Sequence, residues 1–92
     1  MIRNIRHRGL RRLYEEGDGS KVRPDLVEKL TRILGRLDAA VTIEDMNVQG
    51  FGLHRLTGEM KGFWSITVSR NWRLIFRFQE GDAFDVDFVD YH

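Results

Sequence analysis

"WSITVSRNWRLIF", residues 64–76, alternates apolar and polar side chains on both sides of a turn. Trp64, Ile66 and Val68 alternate with Ser65 and Thr67, and Trp72, Leu74, Phe76 and Phe78 alternate with Arg73, Ile75 and Arg77. That is the period of a strand with one buried face. Residues opposite each other in an antiparallel pair share a face, so apolar must meet apolar. A loop Ser69-Arg70-Asn71 satisfies this, pairing Val68 with Trp72 and Ile66 with Leu74, with Asn71 in the left-handed conformation that asparagine tolerates. Further on, Phe84, Val86 and Phe88 alternate with Asp85, Asp87 and Val89. A two-residue turn at Glu80-Gly81 would set Phe76 against Asp85. The alternation therefore predicts a three-residue loop, Gln79-Glu80-Gly81, with Phe76 opposite Phe84 and Leu74 opposite Val86. On the other face, Arg73 is expected opposite Thr67 and Asp87, Ile75 opposite Asp85, and Tyr91 beside the Ser69–Asn71 loop.

Working outward from this three-stranded meander, residues 2–5 read as a short edge strand. "HRGLRRLYEEG" places Leu10, Leu13 and Tyr14 at helical spacing, with Gly17 as its stop. Pro24 sits where a helix accepts proline, and Leu26, Leu30, Ile33, Leu34 and Leu37 mark one apolar stripe of a helix over 24–39. "TIEDMN" is expected to form one short turn, and "QGFGLHRLTGEMKG" a flexible loop. Two helices with one apolar stripe each would cover the core face of a mainly antiparallel sheet and leave the other face open, an α+β layer architecture.

A chain of 92 residues is expected to form a single domain, 1–92. At this size somewhat more than about 60% of the unfolded surface is buried, which suffices without staples. The absence of cysteine excludes disulfides and thiolate metal sites and fits a reducing cytoplasm. No long apolar run or leader pattern is present, so a soluble intracellular protein without membrane contact is expected. The net charge of +1 conceals a segregation. Residues 1–23 and 50–79 are rich in Lys and Arg, whereas residues 80–92 carry five acids (Glu80, Asp82, Asp85, Asp87, Asp90) and no Lys or Arg. Basic segments of this density are an electrostatic footprint for nucleic acid or an acidic protein, or simply a solvated surface.

His7, His54 and His92 show no zinc-ligand spacing, and no phosphate-cradling glycine loop or dinucleotide motif is present. What remains is Arg, His and Tyr at strand ends. Such a set suits metal-free cleavage of RNA by its own 2′-hydroxyl, which needs a proton acceptor, fixed positive charge at the phosphate and an acid for the departing oxygen. Arg supplies permanently charged planar donors, His titrates near neutrality, and an aromatic ring such as Tyr91 stacks on an unstacked base. Each residue also has a purely structural account. Arg73 would pair with Asp87 across the strand, Tyr91 and His92 would be a frayed strand end, His54 would be a half-buried strand histidine, and Trp64 and Trp72 belong to the core.

Three segments together resemble the HigB toxins of the RelE/ParE superfamily: "IRHRGLRRLYEEG", "LHRLTGEMKGFWSITVSRNWRLIF" and "GDAFDVDFVDYH". The resemblance covers essentially the whole chain and implies a small RelE-like fold, with two N-terminal helices on one face of the sheet. It implies a type II toxin: a ribosome-dependent, metal-free endoribonuclease with no cofactor, cutting mRNA on the small ribosomal subunit. The implied partner is a HigA-like helix-turn-helix antitoxin, through which alone operator DNA would be reached. By position, Arg73 would contact the scissile phosphate, and His54, Asp90, Tyr91 and His92 would complete the catalytic set. Thr57 stands where relatives often carry lysine, and Thr67 and Ser69 lack a further strand arginine. Arg70, Asn71, Arg55 and Lys61 are the candidates for the missing RNA contacts. Two other readings remain: a ParE-like inhibitor of DNA gyrase, and a degenerate toxin that only binds its antitoxin.

Overall fold

A computed structural model describes residues 1–90. Helix α1 (Arg8–Glu16) begins where the His7 Nδ1 accepts the Leu10 N–H at 3.0 Å. It ends at Gly17, whose φ of 70° lets its N–H and that of Asp18 bond back to Leu13 and Arg12. A short 3-10 turn (Pro24–Leu26) leads into helix α2 (Val27–Ala39), and a second one spans Ile43–Met46. The strands are β1 (His54–Arg55), β2 (Trp64–Thr67), β3 (Trp72–Gln79) and β4 (Asp82–Asp90), antiparallel in the order β1-β2-β3-β4. The core joins Leu10, Leu30, Ile33 and Leu37 of the helices to Ile66, Leu74, Phe76, Val86 and Phe88 of the sheet, each at most 6% exposed. The expected α+β layering is present, with one more strand than the meander.

The Gly-containing stretch is not a plain loop. It contributes β1, it buries Phe51, and the Phe51 carbonyl accepts the Thr67 N–H at 2.7 Å. At the far edge of the sheet, residues 1–6 run parallel to β4, bridging Ile2 to Ala83 and Ile5 to Val86. They cover an edge that would otherwise expose unpaired backbone. The segment is tied to the helices at Asp38, whose Oδ1 accepts both the Ile2 N–H (2.8 Å) and the Tyr14 hydroxyl (2.7 Å). Those donors hold the Asp38 carboxyl below its ordinary range, and the carboxylate pushes the Tyr14 hydroxyl up.

The two hairpins met different fates. Between β2 and β3 the expected register is present: Ile66 faces Leu74, Thr67 faces Arg73, and the Val68 N–H bonds the Trp72 carbonyl. Asn71 does not have a positive φ, however, so the loop closes without a left-handed residue there. Between β3 and β4 the expected register is wrong. The turn is the two-residue Glu80-Gly81, with φ of 49° and 81°, so that Gln79 faces Asp82 and Arg77 faces Phe84. Left-handed residues at both central positions match the twist of the sheet. The clash between Phe76 and Asp85 is avoided by a β-bulge: Asp85 (φ 53°) is an extra residue, and pairing resumes with Ile75 opposite Asp87 and Leu74 opposite Phe88. Arg73 consequently faces Val89 and not Asp87, and Ile75 faces Asp87 and not Asp85.

The charge segregation along the chain is partly cancelled in space. Arg3 pairs with Asp82 at 3.1 Å, and Arg6 and Arg77 both approach Asp85 at 3.5 Å. The N-terminal arginines thereby offset two acids of the last strand, Asp82 and Asp85.

Candidate active site

The face of the sheet turned away from the helices is only partly open. Ser65 and Ile75, opposite each other at its centre, are buried. Toward the β1 side lies an open groove of about 240 Å³ lined by Gly52, His54, Leu56, Ser65, Thr67 and Arg73. Strand pairing explains the assembly. His54 faces Ser65, Ser65 faces Ile75, and Thr67 faces Arg73, so His54 and Arg73 share a face two positions apart along the sheet. Gly52 adopts φ 59°, and a Cβ there would lie 3.1 Å from Thr67 Oγ1. Glycine at this position keeps the groove open and allows the close approach of β2.

Arg73 is half-buried and anchored. Its Nη1 donates to the carbonyls of Ser69 (2.8 Å), Trp72 (3.1 Å) and Arg70 (3.3 Å). The expected cross-strand pair with Asp87 does not form, since the bulge moves Asp87 opposite Ile75 and its Oδ1 accepts the Phe88 N–H. The three backbone carbonyls fix the position of the Arg73 guanidinium at the edge of the groove. A guanidinium is a permanently charged planar donor whose geometry matches phosphate oxygens.

His54 is exposed, not half-buried, and opens directly into the groove. Arg70 and Asn71 are exposed on the loop that anchors Arg73. Asp90 ends β4 opposite Trp72, at the same end of the sheet. By strand alternation it projects to the face opposite Arg73. Arg55 is not brought into the groove: it pairs with Trp64, and its guanidinium lies 4.8 Å from that ring's centroid, covering the tryptophan. Lys61 is exposed after the 3-10 turn Gly58–Met60 and does not line the groove. Thr57 belongs to a neighbouring depression with His54, Arg55, Leu56 and Met60. Tyr91 and His92 lie outside the described residues. Trp72 is half-buried and stacks on Phe88 at 4.7 Å, with His7 edge-on to Phe88 at 5.6 Å. Gly52 and Thr67 as groove-formers were missed by reasoning from sequence. The doublet of glycines around Phe51 was the available signal.

An antiparallel four-stranded sheet, two helices on one face and an arginine-centred groove on the other make up the architecture of a RelE-like toxin. The comparisons are specific. The sequence model of the HigB-like toxin family, described as "RelE-like toxin of type II toxin-antitoxin system HigB", matches residues 3–92. "Endoribonuclease HigB" of Proteus vulgaris is 41% identical over 92 residues, covering all of both chains. "Toxin HigB-1" of Vibrio cholerae serotype O1 is 32% identical over 94 residues, covering all of this chain and 98% of its own. The protein belongs to the HigB-like toxin family.

Proposed function

We propose that this endoribonuclease of a type II toxin–antitoxin system cuts messenger RNA in the decoding site of the ribosome, by attack of the RNA's own 2′-hydroxyl. The observation that supports this is the single groove shared by Arg73 and His54. In the reaction, the 2′-oxygen attacks the adjacent phosphorus as its proton passes to a base. The P–O5′ bond then breaks, and the departing 5′ oxygen takes a proton from an acid. The products are a 2′,3′-cyclic phosphate and a 5′-hydroxyl end. Arg73, held by the carbonyls of Ser69, Arg70 and Trp72, stabilises the extra charge on the phosphorane-like transition state. His54 and His92 are the groups that move protons, Tyr91 stacks on or orients the target nucleotide, and Asp90 positions His92. Arg70 and Asn71 at the rim meet the RNA backbone on either side of the cut.

An open groove lined by Arg73 and His54 suits an unstacked nucleotide of single-stranded RNA, whose base and phosphate are both accessible. In this reading the protein works in the cytoplasm, docks on the small ribosomal subunit and is held inactive by a HigA-like helix-turn-helix antitoxin. Among the described residues no helix is long and apolar enough to cross a membrane. The test is purified protein added to ribosomes programmed with a short mRNA and to the same mRNA alone, with cuts mapped by primer extension. Cuts that require the ribosome support the reading. Equal cutting of naked mRNA overturns ribosome dependence, and no cutting with a supercoiling defect moves the function to gyrase.

A further inference from the structure

The bulge at Asp85 decides which residues of β4 reach Arg73. Continuing the ladder from the Glu80-Gly81 turn without the bulge would set Leu74 against Asp87 and Trp72 against Val89. With it, Leu74 faces Phe88, Arg73 faces Val89 and Trp72 faces Asp90. A one-residue slip exchanges the faces of every later side chain. It would bury Asp87, expose Phe88 and move the whole end of β4 relative to the groove.

The backbone of the bulge is held from outside its own hairpin. Asp85 has φ 53°, a conformation that a residue other than glycine keeps only when its surroundings fix it. Asn4, 81 positions away, fixes it. The Asn4 Oδ1 accepts the Asp85 N–H (2.9 Å), the Asn4 Nδ2 donates to the Asp85 Oδ1 (3.0 Å), and the Asn4 carbonyl accepts the Val86 N–H (3.2 Å). Both amides of the bulge therefore end on one residue. Arg6 and Arg77 flank the same carboxylate at 3.5 Å.

We infer that Asn4 is a positioning residue for RNA cleavage: its reciprocal pair with Asp85 sets the register that brings the end of β4 alongside Arg73. The inference rests on the proposed location of the site at Arg73, and it assigns the N-terminal segment a part in catalysis without contact with RNA.

The pair can be inverted. Asn4→Asp alone puts two carboxylates together and removes the donor. Asp85→Asn alone removes the anion that Arg6 and Arg77 approach. In the double variant Asn4→Asp/Asp85→Asn, the carboxylate accepts the amide N–H of residue 85 and its side-chain amide, so the reciprocal geometry returns with the charge moved. The readouts are the single-turnover rate on ribosome-bound mRNA, RNA binding, thermal unfolding, and backbone NOEs across β3 and β4. Asn4→Asp is expected to stay folded, to bind RNA within a few-fold of the parent, to cleave about 10²-fold more slowly, and to lose the Leu74–Phe88 NOE. The double variant is expected to recover the rate to within a few-fold and regain that NOE. Parental cleavage by Asn4→Asp, or failure of a folded double variant to recover when both single variants are slow, overturns the inference. If the parent itself cuts nothing, the proposed function fails while the NOEs still judge the clamp. An unchanged Leu74–Phe88 NOE in Asn4→Asp would then refute it.

Discussion

The two hairpins that share β3 are built on opposite principles. The β2–β3 hairpin is locally complete: its ladder runs without interruption from Trp64–Phe76 to Thr67–Arg73, and its loop carbonyls anchor its own arginine. The β3–β4 hairpin is not. It turns on two left-handed residues, breaks its ladder at Asp85, and depends on Asn4 and Arg6 from the far end of the chain. The proposed chemistry sits where the two meet, with a rigid arginine from one and a register-dependent strand end from the other. Precision at a site requires that supporting residues be fixed as firmly as those that touch substrate, and here that support comes from the N-terminal segment.

Breaking what the hairpins have in common should have the largest effect. Phe76 is fully buried, faces Trp64 in one ladder and lies beside the bulge in the other. Phe76→Ala is expected to cost about 3–5 kcal/mol and to collapse both hairpins in one transition. Coincident urea curves from tryptophan fluorescence and far-ultraviolet circular dichroism would show it, whereas separated curves would mean the hairpins unfold independently.

Loosening only the borrowed support comes next. Asp38→Ala leaves the Ile2 N–H and the Tyr14 hydroxyl without their acceptor and is expected to cost about 1–2 kcal/mol near neutral pH. The pH dependence has a defined sign. The Asp38 pKa is depressed in the folded protein, so its stabilisation is complete above the unfolded value and fades as pH falls through the folded one. The gap between parent and Asp38→Ala should therefore narrow in acid. Urea unfolding at pH 7 and in progressively more acid buffer measures it, and a constant gap would contradict the assignment.

The smallest effect separates the turns themselves. Glu80 has φ 49°, whereas Asn71 is not left-handed. Glu80→Asn should raise stability by roughly 0.5–1 kcal/mol, because asparagine tolerates that conformation better. Asn71→Gly should give no gain and a loss of a few tenths, since glycine there adds only unfolded-chain entropy. Thermal melts compare the two, and a gain from Asn71→Gly would reverse the contrast.

What the sequence made legible divides along the same line. Leu10 and Leu13, the Leu26–Leu37 stripe and Gly17 announced both helices, because helical spacing and a left-handed stop are local. The β2–β3 register followed from alternation for the same reason. The β3–β4 register did not. From the string alone, Phe76 against Asp85 is a conflict that a longer turn or a bulge resolves equally well. The difference between them is made by Asn4, whose place beside Asp85 is a tertiary fact. Arg73 and His54 were candidates as residue types at strand positions, and the structure puts both on the lining of one groove through the Thr67 and Ser65 pairings. Strand parity turns Arg55 onto Trp64 and out of the groove, a placement that required knowing that β1 exists. Gly52 escaped notice because its close approach to Thr67 is visible only in three dimensions.

The most direct test of the account is the single-turnover cleavage rate of Arg73→Ala on ribosome-bound mRNA, measured on protein whose circular dichroism matches the parent. A guanidinium that stabilises the transition-state phosphate predicts a rate lower by about 10²–10³, with binding to the ribosome largely retained. A folded Arg73→Ala protein that cuts at the parental rate would contradict the placement of the site in this groove.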